Sequence, residues 1–188
     1  MSSPPQNLIK ITTPTHTFLA RLETEAAPQT SALFLSHLPY TQKLIHVRWS
    51  GEALWIPLGY SNTINKVQNP NQTSLPQENH TAHPAPGQIL LYPGGISETE
   101  FLWAYGACHF ASKMGVLAGN HFLTVVEGGE GMRGLGEKVL WDGAVSVRFE
   151  VADEGMVELF REEREREVKR EVKREVKREV KRKAKAKI

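Results

Sequence analysis

Between residues 8 and 151 the chain runs in short apolar stretches cut by glycine and proline, and this punctuation restricts the fold more than any other feature. Leu8–Thr12 and Thr17–Leu22 alternate apolar and polar residues, as half-buried strands do, with turn chemistry at Thr13-Pro14-Thr15 between them. Residues 44–49 (LIHVRW) read as a strand, Ser50-Gly51-Glu52 as a turn, and residues 53–57 as the hairpin partner. Gln88–Tyr92 and residues 100–105, 122–127 and 144–151 are further strand-like runs, set apart by Gly87, Gly94-Gly95, Gly106, Gly115, Gly119 and Gly128-Gly129. One helix interrupts the series. Pro28 stands near its start, Thr30 or Ser31 can cap it, Ala32, Leu35 and Leu38 share a face, and Pro39 ends it. Residues 109–120 read as a short helix or an excursion between strands. Strands recurring at roughly 8–15 residues with Gly/Pro turns specify a mainly β, closed barrel with one or two short helices, and argue against a doubly wound sheet.

Charge divides the chain in two. Residues 1–160 hold 9 Lys/Arg and 14 Asp/Glu, a net of −5, whereas residues 161–188 hold 14 and 7, a net of +7. A uniformly basic, nucleic-acid-binding domain is thereby excluded. From Glu162 onward the sequence repeats a four-residue unit, with Val168, Val172, Val176 and Val180 at i, i+4 spacing. It reads as a solvated, partly helical, low-complexity tail, with a polyanion or nuclear-import patch at 181–187 or weak self-association as its functional alternatives. The domain boundaries expected are 7–152 for the barrel and 153–188 for the tail. No apolar run approaches the roughly 20 residues of a membrane helix. The amino terminus lacks a secretory pattern and Cys108 is the single cysteine, so a cytoplasmic protein is expected, with the basic tail as a nuclear address. The polar stretch 60–79, rich in Asn, Gln, Ser and Thr, is a long loop of the kind that is functional or disordered.

Three segments together carry a family resemblance: residues 51–59 (GEALWIPLG), 78–95 (ENHTAHPAPGQILLYPGG) and 101–128 (FLWAYGACHFASKMGVLAGNHFLTVVEG). The Trp-Ser-Gly-Glu turn at 49–52, Glu78-Asn79, Pro86-Gly87, Tyr105-Gly106, Phe110, Gly115, Gly119-Asn120, Phe122 and Gly143-Ala144 follow in the same order. In these the chain resembles a bacterial and fungal family of cyclophilin-like proteins, largely of unknown function, to which the N-terminal part of cucumopine synthase is similar. The resemblance implies a small closed barrel. It also brings imine-condensation (Pictet-Spengler-type) chemistry on an amino or 2-oxo acid within reach, although a shared fold does not carry a shared reaction. Prolyl isomerisation does not follow, because the Arg-in-aromatic context of that chemistry is missing here.

The residues themselves suggest a site at the barrel mouth. Glu78, Asn79 and His80 lie where the long loop meets a strand and could anchor a small polar ligand; the plainer reading is a hydrogen-bonding surface loop. Glu98 and Glu100, two apart in a strand, point the same way, and a luminal Glu100 would titrate high and serve as general acid or base. On a solvent-facing side both would be ordinary surface charges. Tyr105 and His109 read as a proton relay or as a packed strand end. Asn120 could bind a carboxylate or occupy a left-handed turn. Trp55 and Tyr92 complete the expected lining, Trp55 alternatively as a core or rim aromatic. His80-x-x-His83 supplies only two nitrogens, so no metal and no cofactor is assigned. The expected function is thus a small-molecule enzyme performing acid/base or condensation chemistry. Its rival is a non-catalytic small-ligand-binding or scaffold module. A cupin-like metalloprotein comes third, against which the missing His-x-His pair weighs. The partner expected is a small molecule, without a membrane, with nucleic acid or polyanion only weakly through the tail, and with a homodimer left open.

Overall fold

The computed structural model describes residues 7–59 and 75–185. The strands of residues 7–152 are β1 (Leu8–Thr12), β2 (Thr17–Leu22), β3 (Tyr40–His46), β4 (Gly51–Gly59), β5 (His80–Thr81), β6 (Gln88–Tyr92), β7 (Thr99–Cys108), β8 (Ala111–Ser112), β9 (Gly115–Val116), β10 (Gly119–Glu127) and β11 (Val145–Val151). Eight of them close into an antiparallel barrel in the order β2-β1-β11-β3-β4-β7-β6-β10, with β10 pairing back onto β2 and β5 adding to the start of β10. The closed, mainly β class expected from the strand spacing is therefore the one observed.

An eight-stranded barrel is just wide enough for side chains to fill it. Ile9, Ile11, Phe18, Ala20, Leu44, Leu54, Ile56, Ile89, Leu91, Phe101, Trp103 and Phe149 form one buried core. The helix α1 (Pro28–Leu35) adds Phe34, which meets Tyr40, Phe101, Phe122 and Phe149 edge-on at 5.0–6.5 Å between centroids. Such edge-to-face packing suits the ring quadrupoles. These side chains point into the barrel from every wall.

A second, smaller core lies on the outer wall. In β7, Phe101, Trp103 and Tyr105 join the interior cluster, while Leu102 joins Val47, Ala53, Leu90, Tyr92, Phe110 and Leu117 in a separate one, with Trp55 and Cys108 packed against it. The alternation of a strand explains this two-sidedness. The β8–β9 hairpin helps cover the cluster. Phe110 N donates to Ala82 O at 2.8 Å and Leu117 N to Phe110 O at 2.9 Å, and the Ser50 hydroxyl donates to Ala111 O at 2.9 Å. The stretch 109–120, open between helix and excursion, is this hairpin.

Other local readings shift. The strand expected over 44–49 begins at Tyr40 and ends at His46, which leaves Trp49 in the turn, 62% exposed. Neither Thr30 nor Ser31 caps α1; Pro28 sits in its first turn and no side chain of the preceding Ala27 caps it. A helix not anticipated, α2 (Met132–Asp142), packs Leu135 and Val139 into the main core. A Cβ on its Gly136 would stand 2.5 Å from the Tyr105 ring. Close packing, not a turn, calls for glycine there.

Residues 153–188 make up a second unit. They hold a single helix, α3 (Glu154–Lys185), of 32 residues. Asp153 Oδ1 accepts the Met156 backbone N–H at 2.7 Å, which caps its first turn. The charged tail is helical over nearly its whole length.

Candidate functional site

Glu100, Tyr92 and Trp55 come together on the outer wall. Tyr92 is the direct cross-strand partner of Glu100 between β6 and β7, and Trp55 in β4 pairs with Leu102, one pleat further along. By strand alternation Glu100 stands on the same side of β7 as Leu102, that is, on the side of the second core. It is only 4% exposed. Burial pushes its carboxyl up to about 7; the nearby Glu98 adds to the shift, and the Ser97 hydroxyl and the Trp55 indole offset part of it. Burial outweighs that offset: the Trp55 indole faces the carboxyl, yet Glu100 Oε1 and Trp55 Nε1 are both buried and neither makes a hydrogen bond of good geometry among the described residues. A buried acceptor and a buried donor that engage one another only loosely are costly in a protein interior. A ligand carrying both kinds of group would satisfy them. Tyr92 packs edge-on against Phe110 at 5.9 Å and brings its hydroxyl close to Gly95, where a Cβ would stand 2.8 Å from it (φ +141°). Glu98, the other expected carboxylate, accepts the Gly59 backbone N–H at 2.7 Å.

The expected relay is divided. Tyr105 lies on the opposite side of β7, where its hydroxyl pairs with His46 Nε2 at 2.8 Å and its ring packs on α2. His109 instead stacks on His83, ring centroids 4.6 Å apart and planes within 16°. Thr99 starts β7, and the chain from Glu100 to Tyr105 spans five positions, so alternation puts the two on opposite faces. Parallel stacked imidazoles aim their ring nitrogens side by side rather than at one point. Among the described residues no three His, Cys, Asp or Glu groups meet as a metal ion would need. Cys108 is half-buried and its thiol is pushed up to about 11 by that burial, the reverse of an activated nucleophile.

The expected loop anchors serve another purpose. Glu78 caps α1 from a distance: its two carboxylate oxygens accept the backbone N–H groups of Gln29 at 3.1 Å and Thr30 at 2.9 Å, and one also accepts the Thr30 hydroxyl at 2.8 Å. A carboxylate suits the positive end of a helix. Asn120, fully buried in β10 rather than in a turn, accepts the Glu78 N–H through Oδ1 at 3.1 Å. Its Nδ2 donates to the Thr30 hydroxyl at 3.0 Å and to Pro76 O at 2.8 Å. His80 is exposed and pairs with Asn120 only through the strand ladder. These residues fasten the end of the long loop to the barrel; residues 60–74 of that loop lie outside the described residues.

Sequence reading missed a network beside them. Asn79, in the left-handed region at φ +47°, donates through Nδ2 to His121 Nδ1 and to His121 O, both at 3.0 Å. His121 Nε2 meets the Thr124 hydroxyl at 2.8 Å, which donates to Glu23 Oε1 at 2.6 Å. Every partner is satisfied by a neutral His121 with its proton on Nε2. Burial lowers its pKa, which favours that neutral form. Burial alone would raise Glu23, but the hydrogen bond from Thr124 and the ion pair with Arg21 outweigh it and hold it low. His121 and Thr124 share a face because β10 is irregular between His121 and Leu123; regular alternation would part them.

A closed eight-stranded barrel with a polar cluster sunk in its outer wall is the class this geometry defines. The chain belongs to a family of proteins of unknown function, DUF3830, which matches residues 9–151. That membership is consistent with the uncharacterised cyclophilin-like proteins its sequence resembles. No curated protein sequence matches the chain. Among solved structures, McbB in complex with tryptophan is similar at a TM-score of 0.52 and 20% identity, over 76% of this chain and 44% of that one. The chain thus spans less than half of that protein's length, and a likeness at this identity shows the fold. The hypothetical protein AF2241 from Archaeoglobus fulgidus is similar at a TM-score of 0.48 and 14% identity, over 80% of this chain and 98% of that one. No helix among the described residues is long and apolar enough to cross a membrane.

Proposed function

We propose that the protein is a small-molecule enzyme in which Glu100 is the general acid/base, acting on an amino acid or a 2-oxo acid held against the outer wall of the barrel. One observation carries the reading: a carboxyl with a pKa of about 7, nearly fully buried, faced by the Trp55 indole, with neither Glu100 Oε1 nor Trp55 Nε1 in a well-formed hydrogen bond among the described residues. A group titrating near neutrality exchanges protons in both directions at working pH. An amine or imine nitrogen would face the carboxyl, and an oxygen of the same ligand would accept from Trp55 Nε1. Tyr92 would border the ligand, while Glu78, Asn79 and Asn120 would support the wall without touching it. The structural likeness to a protein solved with tryptophan supports an amino acid as one ligand. The chemistry that fits both ligand classes is condensation: an amine attacks a 2-oxo group, one water leaves, and an imine forms.

A second reading, a binding module without turnover, has its own support. Tyr105 and His109, the relay expected for turnover, do not accompany Glu100. A thermal-shift screen of amino and 2-oxo acids tests both readings. The enzyme reading expects shifts that are lost in Trp55→Phe but persist in Glu100→Gln, with product from a responsive pair that Glu100→Gln no longer forms. Shifts without product support the binding module, and no shift with any member of either class refutes both.

A further inference from the structure

The barrel site leaves α3 unexplained. In its repeat each valine is preceded by a glutamate and followed by a lysine and then an arginine. At 100° per residue this order sets four stripes around the helix: glutamate on one flank of the valines, lysine on the other, and arginine on the far side. Val168, Val172 and Val176 are 54–56% exposed. From Val168 to Val176 their stripe drifts by about 80°, so three layers stay on one side of the helix. Where the repeat begins, charges are answered from the preceding turn, as in Arg166–Glu162 at 2.8 Å and Lys169–Glu165 at 3.3 Å, both i, i+4. From residue 167 to residue 178 the i+4 neighbour of every charge is the same residue type, so that spacing repels instead of pairing.

We propose that α3 is a self-pairing surface: two copies of the chain join their α3 helices in parallel along the valine stripe. Charge decides both partner and direction. In a parallel pair the left flank of one helix faces the right flank of the other, which sets glutamate against lysine on both sides of the seam. In an antiparallel pair like flanks meet, glutamate on glutamate and lysine on lysine. Valine, β-branched, suits a two-stranded seam. A repeat of 4 exceeds the helical 3.6, so the pair winds right-handedly. With so few valines along the seam the pairing is weak and salt-sensitive, because charges flank it on both sides.

The test uses the full chain. Sedimentation equilibrium at low salt should give a mass rising with concentration from 21.1 kDa toward twice that value. The rise should vanish in about 1 M NaCl and in Val172→Glu/Val176→Glu, whose helicity is checked by circular dichroism. Direction is read by oxidising Val168→Cys and Val176→Cys separately and mixed, with the linked peptides identified by mass spectrometry. Links of 168 to 168 and 176 to 176 are expected. A 168-to-176 link in place of these would overturn the parallel pair. A chain that stays monomeric at low salt up to millimolar concentration would overturn self-pairing altogether, and heparin or duplex DNA binding by such a monomer would assign the stripes to a polyanion.

Discussion

At pH 8 the folded protein must keep a charge on Glu100 that the unfolded chain carries in water at no cost. The unfolded carboxyl titrates near 4.5 and the folded one near 7. Between those values the folded state holds a proton that the unfolded state has lost, so stability falls as pH rises through the window and levels off above it. A shift of this size corresponds to about 3 kcal/mol as an upper value, and to about 2 kcal/mol once solvent screening is allowed for. Glu100→Gln keeps the shape and abolishes the titration. It should match the wild type at pH 4.5 and exceed it by about 2 kcal/mol at pH 8.5, a rise of roughly 1 M in the urea midpoint. Urea unfolding of both proteins at half-unit steps reads the difference, in which every other titrating group cancels. A difference that stays constant across pH would refute the argument, since Glu100 would then be titrating as an ordinary exposed carboxylate.

Glu78→Ala removes the cap of α1 and should cost about 1–2 kcal/mol, with Glu78→Gln recovering part, by thermal unfolding. Asn120→Ala leaves Pro76 O, the Thr30 hydroxyl and the Glu78 N–H to find other partners; a loss of about 2–3 kcal/mol is expected, with faster amide exchange at Glu78. His121 is held neutral by burial, so its contribution is intact at higher pH and is lost as pH falls below about 6.5; ¹⁵N spectra at pH 7.5 should show the proton on Nε2. Ending the chain at Phe160 should leave the unfolding temperature of the barrel and any ligand response unchanged. A clearly lower temperature would show that the tail supports the barrel.

Much of the barrel is legible in the sequence because period-2 alternation and glycine turns are local signals. β1, β2 and β6 fall where the pattern puts them, since each is short, alternating or flanked by turn residues. α2 is not legible: the need for Gly136 arises from the Tyr105 ring, some thirty residues away in the chain. The site divides along the same line. Glu100 stands out in sequence as a carboxylate opening an apolar strand, and its pairing with Tyr92 and Trp55 follows from strand neighbours. Tyr105 misleads because one strand serves two cores, and counting from Glu100 to Tyr105 puts them on opposite faces only once both faces are known to be buried. Glu78 misleads differently: its partner is a helix start 48 residues earlier, a distance no local pattern spans. The His121–Thr124 pair depends on the irregularity in β10, which leaves no mark in the residue types.

The most direct test of Glu100 as an acid/base group is turnover measured against pH. The full chain is incubated with amino acids and 2-oxo acids in pairs, and products are sought at the summed mass less one water. The account predicts product from at least one pair, a rate with an inflection near pH 7, and its loss in Glu100→Gln while the ligands still bind. Product formed equally by Glu100→Gln, or a rate flat through pH 7, would contradict it.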